Sequence, residues 1–199
     1  MSYVNDVLLG IIEGITEFLP ISSTGHLLLA EQLLGARSDA YNIVIQAGAI
    51  LAVTLIYWRR LVDLALGWND PASRDYLLKL LAAFGITAVL GLVVKKLGFE
   101  LPETVTPIAW ALVIGGIWMI WAENIAAKQP DRVTITWQVA IAVGIAQIVA
   151  GMFPGTSRSA ATIFAAMLLG TSNRAAATEF AFLVGIPTMY AASGYALLK

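Results

Sequence analysis

Hydrophobic positions run along most of the chain in long blocks, with short polar punctuation between them. A helix that crosses a bilayer takes about 20 apolar residues, within a range of roughly 17–25. Segments 42–58, 77–94, 107–122 and 175–198 fit this pattern and predict four transmembrane helices. The stretches "WNDPASRD", "KKLGFELPETVTP" and "ENIAAKQPDRVT" carry turn residues and predict the loops between them.

Two further apolar regions, 4–34 and 137–170, do not read as simple spans. Each is interrupted near its middle by proline and hydroxyl-rich sequence, "LPISSTGH" in one and "FPGTSRSA" in the other. The arms on either side are short, which predicts a helix–break–helix hairpin that enters the membrane and returns. Irregular backbone at that depth must be buried in protein or line a wet cavity. At an offset of 134 the regions match at Gly10/Gly144, Ile11/Ile145, Pro20/Pro154, Ser23/Ser157 and Leu34/Leu168. Corresponding interrupted segments in two halves point to a binding site between them.

The fold class that follows is all-α: a polytopic integral membrane protein with inverted-topology repeats, each opening with a re-entrant helix hairpin. Residues 1–199 form one membrane domain. The first repeat, 1–125, holds a hairpin and three spans, so the second hairpin enters from the opposite side. The second repeat, 135–199, holds a hairpin and one span and reads as truncated. On this topology Arg59, Arg60, Arg74, Lys128, Arg132 and Arg174 share one side, and Arg37, Lys95, Lys96 and Lys199 the other. The excess places the first side in the cytoplasm and the N-terminus outside.

Composition agrees with a membrane class. Hydrophobic residues make up 59% of the 199 and charged residues 13%, against roughly 25% charged in soluble domains. Mean hydropathy is +0.80. A net charge of −1 gives no reason to expect a nucleic acid partner, and the absence of cysteine excludes disulfides and thiolate metal sites. "MSYVND" has no basic n-region, so the first apolar segment is expected to be retained.

Ionisable groups at membrane depth default to a functional reading. Glu13 and Glu17 lie four apart, on one helical face. They are either solvated at the interface or a pair that holds a divalent ion or relays protons. Ser22, Ser23 and Thr24 are natural N-caps for the helix after Pro20, and a helix N-terminus also receives anions. His26, the sole histidine, falls in that first turn and is structural or catalytic. In the second break Thr156, Ser157 and Ser159 again offer hydroxyls at a helix start. Arg158 has no acid nearby in sequence, and its planar fork suits phosphate. The plain alternative is a salt bridge to Glu13 or Glu17. Together these residues describe a phosphate pocket for a phosphate carried on something apolar. Glu179 reads as an interfacial acid or an ion pair in the pocket, and Gln46 as an interhelical hydrogen bond. The fold alone leaves a lipid-phosphate transporter or flippase open beside an enzyme.

"EGITEFLPISSTGH" and "PGTSRSAAT" resemble the two signature motifs of the bacterial undecaprenyl-pyrophosphate phosphatase family, of the bacitracin-resistance type. The resemblance implies a multi-pass enzyme of the bacterial inner membrane that cuts the terminal phosphate from a polyprenyl pyrophosphate at the periplasmic or outer face. It implies a divalent cation, Mg2+ or Ca2+, as cofactor, with Glu13 and Glu17 as its acidic ligands. By motif position Ser23 and His26 form the reaction centre with Arg158. Ser22, Thr24, Gly25, Thr156, Ser157 and Ser159 bind phosphate. Whether Ser23 or His26 attacks phosphorus, and whether the protein is an oligomer, stay open. Two departures stand out. Ala160 takes the place where the family usually has glycine, and family chains usually continue for two more helices.

Overall fold

The apolar blocks fold as helices because a backbone in hydrocarbon must satisfy its own hydrogen bonds. The computed structural model describes residues 3–98 and 105–198. These form α1 (Tyr3–Thr16), α2 (Ser23–Leu34), α3 (Asp39–Ile56), α4 (Trp58–Leu66), α5 (Pro71–Lys96), α6 (Val105–Ala126), α7 (Trp137–Met152), α8 (Arg158–Leu169) and α9 (Arg174–Leu197), with a 3-10 turn at Gly67–Asn69. No strand occurs among the described residues. Loop residues 99–104 and Lys199, both used above, lie outside them.

Four helices are long and apolar enough to cross a membrane: Asp39–Ile56, Pro71–Lys96, Thr106–Ala126 and Arg174–Leu197. They correspond to the four expected spans. α5 begins six residues earlier than the apolar run at 77, since Asp70 caps it and Pro71 sits in its first turn. Asp70 accepts from the Ser73 amide at 2.8 Å, which holds its carboxyl below the usual range. α4 was not among the expected elements. Its sequence, "WRRLVDLAL", places Leu64 in the core and leaves Trp58 and Leu66 exposed, the pattern of a helix lying at an interface.

The four arms α1, α2, α7 and α8 have 14, 12, 16 and 12 residues. At 1.5 Å per residue the longest reaches about 24 Å, short of a bilayer core of about 30 Å. α7 packs on α5 and α8, and α8 packs on α6 and α9. The hydrophobic core runs through this half, around Val139, Val143, Phe164, Met167, Phe180 and Val184. Gly144 makes the α5–α7 approach possible, because a Cβ there would sit 2.7 Å from the Ala83 carbonyl. α1 packs on α2 and α3, and α3 on α9, which brings the first break beside the second.

Candidate active site at the two helix breaks

Both breaks end in a serine that caps the helix after it. Ser22 (φ 65°) and Ser157 (φ 64°) are the two non-glycine residues with positive φ among the described residues. The Gly25 amide donates to Ser22 Oγ at 3.4 Å, and the Ala160 amide to Ser157 Oγ at 3.3 Å. The capped helices have equal length, Ser23–Leu34 and Arg158–Leu169, and align at an offset of 135. The sequence match at 134 is therefore one residue out at the caps, because the second break has one more residue between its proline and its capping serine. Ser22, not Ser23, corresponds to Ser157, and Ser23 corresponds to Arg158. Gly25 corresponds to Ala160.

That correspondence carries the site. Glu17 follows α1, with its amide donating to the Glu13 carbonyl at 2.9 Å. Its carboxylate lies between the two helix starts. Ser23 Oγ donates to Glu17 Oε2 at 2.5 Å, and Arg158 Nη2 donates to Glu17 Oε1. The first residues of the two capped helices thus hold opposite oxygens of one carboxylate. The salt bridge named as the alternative reading of Arg158 is present, and its partner is Glu17. The pair is largely enclosed, with side-chain exposure of 28% for Arg158 and 6% for Glu17.

The remaining predicted residues fall into two groups. Glu13 is buried one turn before Glu17, and its Oε2 has no partner among the described residues. His26 Nδ1–H donates to the Ser22 carbonyl at 2.8 Å. A carbonyl can only accept, so the proton is on Nδ1 and Nε2 is left for other chemistry. Ser157 and Ser159 hydroxyls lie 3.1 Å apart, and Ser159 Oγ donates to the Leu19 carbonyl at 2.8 Å. These hydroxyls join the breaks to each other and cap α8. Thr156 closes the second turn through its amide, which donates to the Phe153 carbonyl at 3.1 Å. Thr24 is exposed. Glu179 is not in the pocket: it pairs with Arg60 Nε at 2.9 Å and accepts from Tyr76 OH at 3.2 Å.

Sequence reasoning missed two supports. Phe18, beside Glu17, packs edge-on against Phe182 of α9, with centroids 5.5 Å apart. α6 backs both breaks, since a Cβ on Gly155 would lie 2.7 Å from the Ile108 carbonyl and one on Gly25 would lie 3.0 Å from Leu112 Cδ1. The repeated "TEF" at Glu17–Phe18 and Glu179–Phe180 was a visible signal, but it marks two different ion pairs. Beside Glu17 and Arg158 a small cleft opens between Val53 of α3 and Phe182, Gly185 and Met189 of α9. Its walls are apolar except at that end. Ser23 and His26 do not line it.

A divalent ion is tested by the donors present. Among the described residues no group of three or more His, Asp or Glu side chains could hold a metal unaided. The orphaned Glu13 Oε2 beside the Glu17 carboxylate fits a hard cation, and Mg2+ is commonly bound by one or two carboxylates with substrate phosphates completing its shell. Two carboxylates therefore fit an ion that arrives with, or is completed by, a phosphate ligand.

The fold and site together define a polytopic helical membrane protein whose buried charges converge at two capped helix breaks. The chain belongs to the bacitracin resistance protein BacA family, which matches it over residues 6–199. It is 78% identical over 162 residues to an undecaprenyl-diphosphatase of Rhizobium johnstonii, covering 81% of this chain and 61% of that protein. Against an undecaprenyl-diphosphatase of Rhizobium etli the identity is 77% over 162 residues, with the same coverage. Against one of Xanthomonas euvesicatoria it is 66% over 159 residues, covering 80% of this chain and 60% of the relative. The chain thus spans about three fifths of the length of these curated relatives.

Proposed function

We propose that this chain carries the catalytic centre of an undecaprenyl-diphosphatase, which hydrolyses undecaprenyl pyrophosphate to undecaprenyl phosphate and inorganic phosphate. The observation that carries the reading is the Glu17 carboxylate shared by the Ser23 hydroxyl and the Arg158 guanidinium. Anion binding alone needs no hydroxyl hydrogen-bonded to a base, whereas an activated nucleophile does. Family membership and the names of the relatives supply the substrate.

In this reading Ser23 Oγ attacks the terminal phosphorus and its proton passes to Glu17 Oε2. The bond from that phosphorus to the bridging oxygen breaks, and undecaprenyl phosphate leaves. Arg158 and the first-turn amides of α2 and α8 take charge on the transferred phosphoryl group. His26 Nε2 then activates the water that releases phosphate from Ser23. A divalent ion, Mg2+ or Ca2+, held by Glu13 and Glu17, supplies charge neutralisation of the pyrophosphate and polarisation of the scissile bond when bound. The apolar cleft between α3 and α9 suits the start of a prenyl chain. The enzyme recycles the lipid carrier for cell-wall synthesis and so confers bacitracin resistance. Family membership supports a site in the bacterial inner membrane, and the charge bias on the inverted-repeat topology supports one that opens to the periplasmic or outer face.

The test is phosphate release from C55 pyrophosphate by purified protein in detergent, with and without a divalent ion. Hydrolysis should vanish with chelator and return with metal, and Glu13→Gln should need more metal. Full activity in excess chelator removes the ion from the reading. Transfer of a lipid phosphate across liposomes without any phosphate release replaces the enzyme with a transporter.

A further inference from the structure

The Arg158–Glu17 ion pair differs from its neighbours. Of the other four pairs among the described residues, Arg37–Asp6, Arg60–Glu179 and Arg174–Glu123 join different segments of the chain, and Lys79–Asp75 lies one turn apart within α5. This one lies where two helix N-termini converge. The amides of Ser23, Thr24, Arg158 and Ser159 have no acceptor among the described residues. First-turn amides of this kind attract anions. An anion is already there, and it is a side chain of the protein.

We propose that the Glu17 carboxylate holds the place of the substrate's terminal phosphoryl group, and that the Arg158–Glu17 pair is a latch which that group opens. The inference rests on the phosphatase reading for the identity of the ligand. Glu17 Oε1 takes the Arg158 contact that a phosphate oxygen would take, while Oε2 keeps the Ser23 hydroxyl. A phosphate offers the same planar fork more oxygens and more charge than a carboxylate does. Exchange of Arg158 from carboxylate to phosphate then has two consequences. The substrate competes with an internal anion, which weakens binding of anything carrying less charge. Glu17 is also released from the Arg158 guanidinium while it still accepts from Ser23. The nucleophile therefore faces a carboxylate free of Arg158 only once a phosphoryl group is in place. Ser23 at rest, beside a neutralised pair, is poorly placed to attack other electrophiles.

The test uses the whole chain in detergent, with excess chelator, and inorganic pyrophosphate as the probe. Glu17→Gln leaves Arg158 largely enclosed and without its counter-ion, which is costly. It should bind pyrophosphate about tenfold or more tightly than the unmodified protein, by loss of one competing charge-assisted contact. Equal or weaker binding by Glu17→Gln overturns the latch, since a carboxylate that aids binding cannot be a competitor. A second variant reads the arming step without hydrolysis. Arg158→Gln removes the neutralising cation, so Ser23 should react several-fold faster with a neutral sulfonyl fluoride. In that reaction Oγ bonds to sulfur, fluoride leaves and Glu17 takes the proton. Ser23→Ala gives the background. Labelling of Arg158→Gln at or below the unmodified rate overturns arming. Neither measurement needs turnover, so a protein that passes both yet releases no phosphate from C55 pyrophosphate keeps the latch and loses the phosphatase reading.

Discussion

The two hairpins carry the same cap but live in different surroundings. In α8, eight of twelve residues are buried, and in α7 five of sixteen. In α1 only Leu9, Glu13 and Thr16 are buried, and in α2 only Ser23, Gly25 and Leu27. Ile11, Ile15, Leu29 and Leu33 of the first hairpin are exposed, at home against lipid. The second hairpin is thus wedged between α5, α6 and α9, while the first packs on α3 and α6 with one face open and meets the second at the breaks. The chemistry divides the same way. Glu13, Glu17, Ser23 and His26 are in the loosely packed hairpin. The densely packed one offers a fixed guanidinium and the Ser159 hydroxyl that reaches across to the Leu19 carbonyl. Packed cores transmit position and loosely packed segments allow adjustment. The second break is accordingly the more firmly packed side of the site and the first the less firmly packed one.

The largest expected effects come from the two equivalent first helix positions. On the proposed mechanism, Ser23→Ala should lower turnover on the order of 10³ or more, with pyrophosphate binding largely kept. Arg158→Lys keeps charge but loses the fork, and should cost on the order of 10²–10³ in turnover. It should weaken pyrophosphate binding as well. Single-turnover phosphate release, with binding measured separately, checks both. If Ser23→Ala loses binding while Arg158→Lys loses only rate, the division of labour between the hairpins is reversed.

An intermediate effect should separate the two breaks by stability. Gly155 has φ +101°, and an added Cβ would meet the Ile108 carbonyl, a backbone atom that cannot step aside. Gly155→Ala should destabilise the protein by roughly 1–3 kcal/mol through strain and overpacking. At Gly25 the backbone is helical and the nearest atom is the end of the Leu112 side chain. Gly25→Ala should cost less than about 1 kcal/mol, since Leu112 can repack. Thermal unfolding in detergent reads the difference. Equal loss at both positions would remove the contrast between a rigid and a yielding break.

Much of this is legible in the amino-acid sequence alone. Block length located the four spans because hydrocarbon thickness sets helix length, and proline with serine marked both breaks. That the two breaks meet was expected from chemistry, since each half was incomplete, but the expected group was Ser23, His26 and Arg158 around a shared ligand, with a salt bridge to Glu13 or Glu17 as the alternative. The choice between Glu13 and Glu17 was not legible, because both lie on one helical face and only the turn after Thr16 decides which reaches Arg158. The cap register was missed by one residue, since matching prolines and serines cannot see an extra residue in the turn between them. Ser157 and Ser159 were expected on phosphate, but hydroxyls at a helix start serve caps and cross-links equally well, and only the position of the Leu19 carbonyl separates these uses. α4 was missed because nine residues with two arginines and an aspartate fall below any span criterion, though their alternation of apolar and charged positions is amphipathic.

The smallest effect concerns the caps themselves and tests whether the two breaks remain alike at that level. Ser22 and Ser157 each combine a positive φ, which costs a side-chain-bearing residue about 1–2 kcal/mol, with a cap bond that offsets part of it. Their cap bonds are long, 3.4 and 3.3 Å, so each contributes toward the low end of about 0.5–2 kcal/mol. Replacement by alanine loses the bond and keeps the strain, and should destabilise by roughly 0.5–1 kcal/mol. Replacement by glycine loses the bond and relieves the strain, since glycine adopts positive φ freely. Ser22→Gly and Ser157→Gly should therefore be within about 0.5 kcal/mol of the unmodified protein, and more stable than the alanine variants. Ser157 has the further contact to Ser159, so its alanine variant should be the more damaging of the pair. Unfolding midpoints of the four variants settle the order. A glycine variant less stable than its alanine counterpart would mean that the backbone at the break is held by its surroundings, with the serine side chain incidental to it.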